Sequence, residues 1–178
     1  APSESRLGNL VKLVFVHGAL VWSGPVGGVL DIVHDGAGGG YLVRSEVGIT
    51  YAMHVNASGV KTWGADVAVH DTQTAYFAQS TQPRLCSDGA GGFILFHGLE
   101  DMFAQRMDVF GSPLWGGGVT VSTGVDIGCH RTISADGAGG AIVTYENSWL
   151  IGGSTYCDQV KGARIDAFGT KVWDEYLA

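Results

Sequence analysis

Short apolar runs broken by glycine and aspartate recur along this chain, and none keeps the 3.6-residue spacing of an amphipathic helix. In the C-terminal third, residues 141–145 (Ala-Ile-Val-Thr-Tyr) form a β-rich run that follows a glycine turn. A loop then leads to a strand predicted near 160–166, a turn at Ala167-Phe168-Gly169 and a last strand through Val172 and Trp173. The middle of the chain reads the same way, with strands over 93–96 and 103–108, a turn at Val109-Phe110-Gly111, and then Leu114-Trp115. Near the N-terminus, residues 10–16 are too apolar to remain a free strand edge in water. The pattern predicts an all-β chain with almost no helix.

The turns explain the recurrence. Asp35-Gly36-Ala37-Gly38-Gly39, Asp88-Gly89-Ala90-Gly91-Gly92 and Asp136-Gly137-Ala138-Gly139-Gly140 are identical. A Gly four residues before a Trp repeats out of phase with them, at Gly18/Trp22, Gly59/Trp63, Gly111/Trp115 and Gly169/Trp173. Repetition at roughly 50 residues means one supersecondary unit copied along the chain, each copy burying its apolar faces against the next. The unit parses as a four-stranded antiparallel meander, the element of a propeller blade. One repeat domain, 1–178, then divides into a half unit (10–27) and three units (28–81, 82–129, 130–178). About three and a half blades do not close a ring of four to eight. A longer parent chain, another subunit or a different sheet packing must complete it, and a β-sandwich or flattened barrel is the structural alternative. Asp35, Asp88 and Asp136 are expected to bond their own turn backbone while the glycines supply positive φ. Trp22, Trp63, Trp115 and Trp173 are expected at equivalent places in the core, largely buried between neighbouring sheets.

The segment Gln105-Arg106-Met107-Asp108, followed by Gly111 and Leu114-Trp115 and preceded by the Asp88 turn, resembles the repeat of secreted bacterial β-propeller proteins. Those repeats carry Asp-Gly-x-Gly-Gly, an apolar strand ending in Trp, an Asp-x-Arg-x-Gly loop, then Tyr-Ala-Gln-Arg-Leu-Asp and Leu-Trp. Phe103-Ala104-Gln105-Arg106-Met107-Asp108 is a close match; Ala163-Arg164-Ile165-Asp166 keeps part of it, and Ala52-Met53-His54-Val55-Asn56 less. The resemblance runs from residue 10 onward and implies a propeller-like fold and export, to an extracellular or periplasmic location. Two departures stand out. His97 or Tyr145 replaces the strand-end Trp, and the Asp-x-Arg-x-Gly loop is missing throughout. If that loop ties blades together, the tie here is made by other residues.

Composition narrows the function. With 46% hydrophobic residues the 178-residue chain builds a real core, and 29 Gly against 4 Pro suit tight turns. A net charge of −7, with ten basic residues in no run, argues against a nucleic-acid partner. No apolar stretch is long enough for a membrane-spanning helix. The Ala1 start reads either as a mature end after signal-peptide removal or as a cut from a longer protein.

Candidate chemistry is sparse. The Asp-Gly-Ala-Gly-Gly phrase has neither the helix of a phosphate loop nor the ligand density of a calcium loop. It also lacks the Trp of a sialidase Asp-box. The six histidines hold no ligand spacing, no Gly-x-Ser-x-Gly elbow occurs, and Cys86, Cys129 and Cys157 make no zinc motif. Buried thiols are the plain reading of the cysteines, with Cys129–Cys157 the one disulfide worth considering. The adjacent acids Glu100-Asp101 and Asp174-Glu175 read as solvated. No catalytic residue, cofactor or metal is expected. Function is expected on variable loops. Unit three inserts residues 146–156, and Asn147, Trp149 and Tyr156 there present aromatic faces with polar tips. The connector 66–82 supplies His70, Asp71 and Tyr76. The expected role is a non-catalytic extracellular scaffold or accessory subunit. It would bind a protein partner, or itself, through the terminal strands. The alternatives are a glycan-binding module and, behind it, a glycoside-acting enzyme.

Overall fold

A computed structural model describes residues 10–15, 19–25, 29–46, 49–71, 83–98, 101–123, 130–151 and 154–177. Among these residues there is no helix, and the strands fall into four antiparallel sheets. Strands β1 (Leu10–Phe15) and β2 (Ala19–Pro25) make a two-stranded sheet. The first four-stranded sheet is β3 (Val29–His34), β4 (Gly40–Glu46), β5 (Ile49–Val55) and β6 (Val67–Asp71). The second is β7 (Arg84–Ser87), β8 (Phe93–Gly98), β9 (Met102–Met107) and β10 (Val119–Ser122). The third is β11 (Arg131–Ala135), β12 (Ala141–Ile151), β13 (Ser154–Ile165) and β14 (Lys171–Tyr176). In each sheet the order in space is the order in sequence, so every one is a meander and none closes on itself. One sheet lies in the half unit and one in each full unit.

Period-two alternation places two apolar faces on the middle sheet. Phe93, Leu95 and Met107 pack with Tyr41, Val43 and Ala52 of the first sheet, and Val33, Trp63 and Val67 close the edge. Ile94, Phe96, Met102 and Ala104 pack with Ala141, Val143, Tyr145, Ala163 and Ile165 of the third. Strand β8 is therefore buried along its whole length, as its unbroken Phe-Ile-Leu-Phe run demands. The first strands of the units also meet, β3 against β7 and β7 against β11. The outermost strands, β6, β10 and β14, lie at the far side of each sheet.

One expected loop is a strand. The insertion after Tyr145 continues the β12–β13 pairing, with Glu146 opposite Val160, Trp149 opposite Tyr156 and Ile151 opposite Ser154, and a bulge at Asn147/Ser148. Its Trp, Leu, Ile, Thr and Tyr favour extended backbone.

The glycine turns serve two ends. Gly91 and Gly139 sit at φ of 95° and 86°, where a β-branched side chain is strained. Gly92 and Gly140 are needed for a different reason. A Cβ on them would collide with the carbonyl oxygens of Met107 and Ile165 on the third strand.

Candidate functional site

The two turns at one end of each meander are closed by side chains. In the first turn, Asp35 Oδ1 accepts from the N–H groups of Ala37 and Gly39 (2.7 and 2.9 Å). Asp88 Oδ1 accepts from Ala90 and Gly92 (both 2.8 Å), and Asp136 Oδ1 from Ala138 and Gly140 (both 2.8 Å). Each Oδ2 then faces a basic group on the third strand. It is His54 Nε2 for Asp35 (2.9 Å), Arg106 Nε and Nη2 for Asp88 (both 3.0 Å) and Arg164 Nη2 for Asp136 (2.9 Å). The second turn repeats the device with Asn56, Asp108 and Asp166. Each side-chain oxygen accepts from the backbone N–H groups two and four residues on. His54, Arg106 and Arg164 carry no chemical motif in the sequence. The signal for the arginines is their recurrence two residues before the second-turn aspartate.

These contacts fix charge. Burial raises the Asp136 pKa, but the Ala138 N–H, Arg164 and the Gly140 N–H outweigh it and hold the carboxyl below its ordinary 3.8. Asp35 behaves alike: burial raises it, while His54 and the Ala37 and Gly39 N–H groups hold it below 3.8. A carboxyl whose folded pKa lies below its unfolded one contributes stability above the unfolded value and loses it as pH falls through the folded value. The melting temperature should thus fall on acidification below 3.8. In Asp35→Asn and Asp136→Asn variants that part of the fall should shrink, and an unaltered profile would contradict the assignment.

Side chains also tie sheet to sheet, where the missing Asp-x-Arg-x-Gly loop left a question. Trp63 Nε1 donates to the Val109 carbonyl and Trp115 Nε1 to the Ala167 carbonyl, both at 3.1 Å and at equivalent second turns. Gly111 lies against the Trp63 ring and Gly169 against the Trp115 ring, each close enough that a Cβ would meet the indole. Arg106 Nη1 reaches the same Ala167 oxygen (3.2 Å), and Tyr41 Oη donates to the Gly91 carbonyl (2.7 Å). At the first strands Asp31 Oδ2 accepts from Leu85 N–H (2.9 Å), and the buried Arg131 Nη1 donates to the Gly98 carbonyl. Trp115 is 7% exposed, but Trp63 and Trp173 are only half-buried, short of the burial expected for the repeated indoles. Among the described residues no sheet lies against the outer side of Trp173; Trp63 sits at the rim, against the Val109–Gly111 turn of the middle sheet. Strand β2 places Trp22 opposite Leu13 along the backbone, and its side chain lies outside the described residues.

Among the described residues one hollow accompanies these turns and another lies at the far end of the third sheet. A cleft of about 390 Å³ opens between the middle and third sheets, lined by Asp88, Ala90, Arg106, Gly137, Ala138 and Ala167. Its one cation is already bound to Asp88 and to the Ala167 carbonyl. A smaller hollow of about 170 Å³ on the third sheet is lined by His130, Thr132, Thr144, Glu146 and Val160, with His130 Nδ1 3.0 Å from Glu146 Oε2. At the second-turn tips Phe110 and Phe168 are 80% and 89% exposed.

The candidate binding residues divide between two sheets. Asn147, Trp149 and Tyr156 lie on the β12–β13 hairpin, and His70 and Asp71 on β6 opposite Thr50 and Ile49. Both groups sit at the end of their sheets away from the aspartate turns, with the middle sheet between them. Their side chains, and the whole of Tyr76, lie outside the described residues. Cys129 and the Cys157 side chain do so too, so the Cys129–Cys157 pairing falls outside them. Cys86 is a buried free thiol whose pKa burial pushes up to about 12, which makes it a poor nucleophile. His97 is fully buried beside Phe103. Among the described residues no three His, Cys, Asp or Glu side chains come together as a metal site, and no helix is long and apolar enough to cross a membrane. No protein-family model matches the chain, and a search of curated proteins finds no match.

Proposed function

We propose that this chain is a propeller-like, non-catalytic scaffold of an extracellular or periplasmic assembly, binding protein partners through surfaces its own units use to bind one another. The repeated tie from an indole to the next unit's turn carbonyl carries this reading. It makes each four-stranded meander a module whose main business is to hold the next. The meeting of β3, β7 and β11 supports a radial array in which first strands line a common axis. The groups with most chemical potential, Asp88, Arg106, Asp136 and Arg164, are spent on one another and on turn backbone. Export rests on the likeness to secreted repeat proteins. A glycan-binding role is the second reading, favoured by the 390 Å³ cleft and the exposed Phe110 and Phe168 tips.

The test is a sugar microarray read for both retention and hydrolysis, run beside light scattering of the full chain. Association in solution with no retained sugar is the expected result. Retained sugar would move the chain to the glycan reading, and released product would overturn the non-catalytic one.

A further inference from the structure

The middle and third sheets carry the same face toward the C-terminal side, but among the described residues only that of the middle sheet is covered by another sheet. On the middle sheet Cys86, Ile94, Phe96, Met102, Ala104 and Trp115 are buried against the third sheet. The equivalent positions on the third sheet are Ser134, Ile142, Thr144, Val160, Gly162 and Trp173. There Ser134 is exposed, Ile142 is 37% exposed, and Trp173 is half-buried beside Gly162 with Leu177, itself 53% exposed, at the same spot. Arg164 takes the position of Arg106 and makes the same bond to its own turn aspartate. Among the described residues neither Trp173 nor Arg164 hydrogen-bonds to another sheet, whereas Trp115 and Arg106 both reach the Ala167 carbonyl.

Resting on the assembly reading above, we infer that the outward face of β11–β14 is a docking surface for a second copy of this chain. Trp173 and Arg164 would there repeat the join that Trp115 and Arg106 make internally. The occupant is set by what the internal joins require. The indole needs a turn carbonyl and, two residues later, a glycine in left-handed conformation against its ring, as at Ala167/Gly169 (φ +83°) and Val109/Gly111 (φ +83°). A side chain at that glycine would push the ring away. Each full unit carries a second-turn glycine in left-handed conformation, at Gly59, Gly111 and Gly169, and the Gly-x-x-x-Trp spacing recurs in the half-unit sequence at Gly18 and Trp22. Trp63 and Trp115 each serve the unit that follows them, and among the described residues none takes that place against Trp173. A second copy presents the same repeat, so the surface continues an interface already made twice within one molecule. Such a head-to-tail contact closes into a ring if its rotation permits and otherwise extends as a filament.

The test is light scattering and sedimentation velocity of the full chain at micromolar concentration, with Ile142→Asp and Trp173→Ala. Wild type should run at twice the chain mass or more. Each variant should associate roughly tenfold more weakly or worse, with unchanged circular dichroism. Ile142 is already 37% exposed, so Ile142→Asp keeps the comparison readable where Trp173→Ala loosens the last sheet. A wild-type chain that stays monomeric overturns the inference together with self-assembly. Association that both variants retain overturns this surface alone and leaves the assembly reading standing.

Discussion

Trp115→Ala should lower the unfolding free energy by about 3–5 kcal/mol, the range for deleting a large buried aromatic side chain. The indole is 7% exposed, belongs to the core shared by the middle and third sheets, and bonds the Ala167 carbonyl across them. Removing it uncovers the backbone at Gly169, leaves that carbonyl to Arg106 alone and opens a void that two facing sheets cannot collapse to fill. Denaturant unfolding by circular dichroism measures the loss. Trp173→Ala supplies the comparison: its half-buried ring forfeits less, so the two midpoints should separate clearly. Equal losses would show that burial between sheets is not what makes Trp115 valuable.

Asp88→Ala should cost nearly as much, about 3–5 kcal/mol, the scale for removing one partner of a buried ion pair. Asp88 is 4% exposed and serves four donors: the Ala90 and Gly92 N–H groups through Oδ1, and Arg106 Nε and Nη2 through Oδ2. Turn chemistry alone, the loss of local backbone bonds, sets the expectation nearer 1 kcal/mol. The larger figure comes from Arg106, whose side chain is 14% exposed and would keep its charge with a single carbonyl acceptor. The double variant Asp88→Ala/Arg106→Met removes that stranded charge and should recover part of the stability. A double-mutant cycle reading no coupling would reduce the pair to ordinary turn bonding.

The contrast between those two figures marks where sequence reasoning reaches its limit. Alternation, glycine punctuation and the Asp-Gly-Ala-Gly-Gly phrase are local, and local rules reach the all-β class and the antiparallel meander. They also point to Asp88 as a turn residue. They do not reach Arg106, which lies 18 residues on and meets Asp88 only because β9 returns beside the first turn. The β12–β13 hairpin reads as a loop in the sequence for a related reason. Its polar Asn147 and Ser148 mask a pairing that needs only a bulge to continue. Trp63, Trp115 and Trp173 look alike in sequence because spacing alone is visible there. Their burial differs with what the next unit brings, a property of packing between units that no single repeat contains. Function was the least legible, since the residues that vary between units are few and those that recur are consumed by structure.

Four side-chain joins at the turn end point one way, while Lys171 Nζ, just past the last turn, donates back to the Val121 carbonyl of the unit before. Tyr41, Trp63, Arg106 and Trp115 each give a proton to a carbonyl of the unit that follows, and none of the four gives one to the unit before. A unit duplicated whole therefore arrives with a donor on one side and an acceptor on the other, and fits between any two existing neighbours without a new contact having to be invented. Gene duplication can lengthen such an array in single steps, each already compatible with the last, while a half unit or a frame-shifted copy brings mismatched ends. The shared direction of these four ties thus makes unit number an easy quantity for evolution to change and unit phase a hard one.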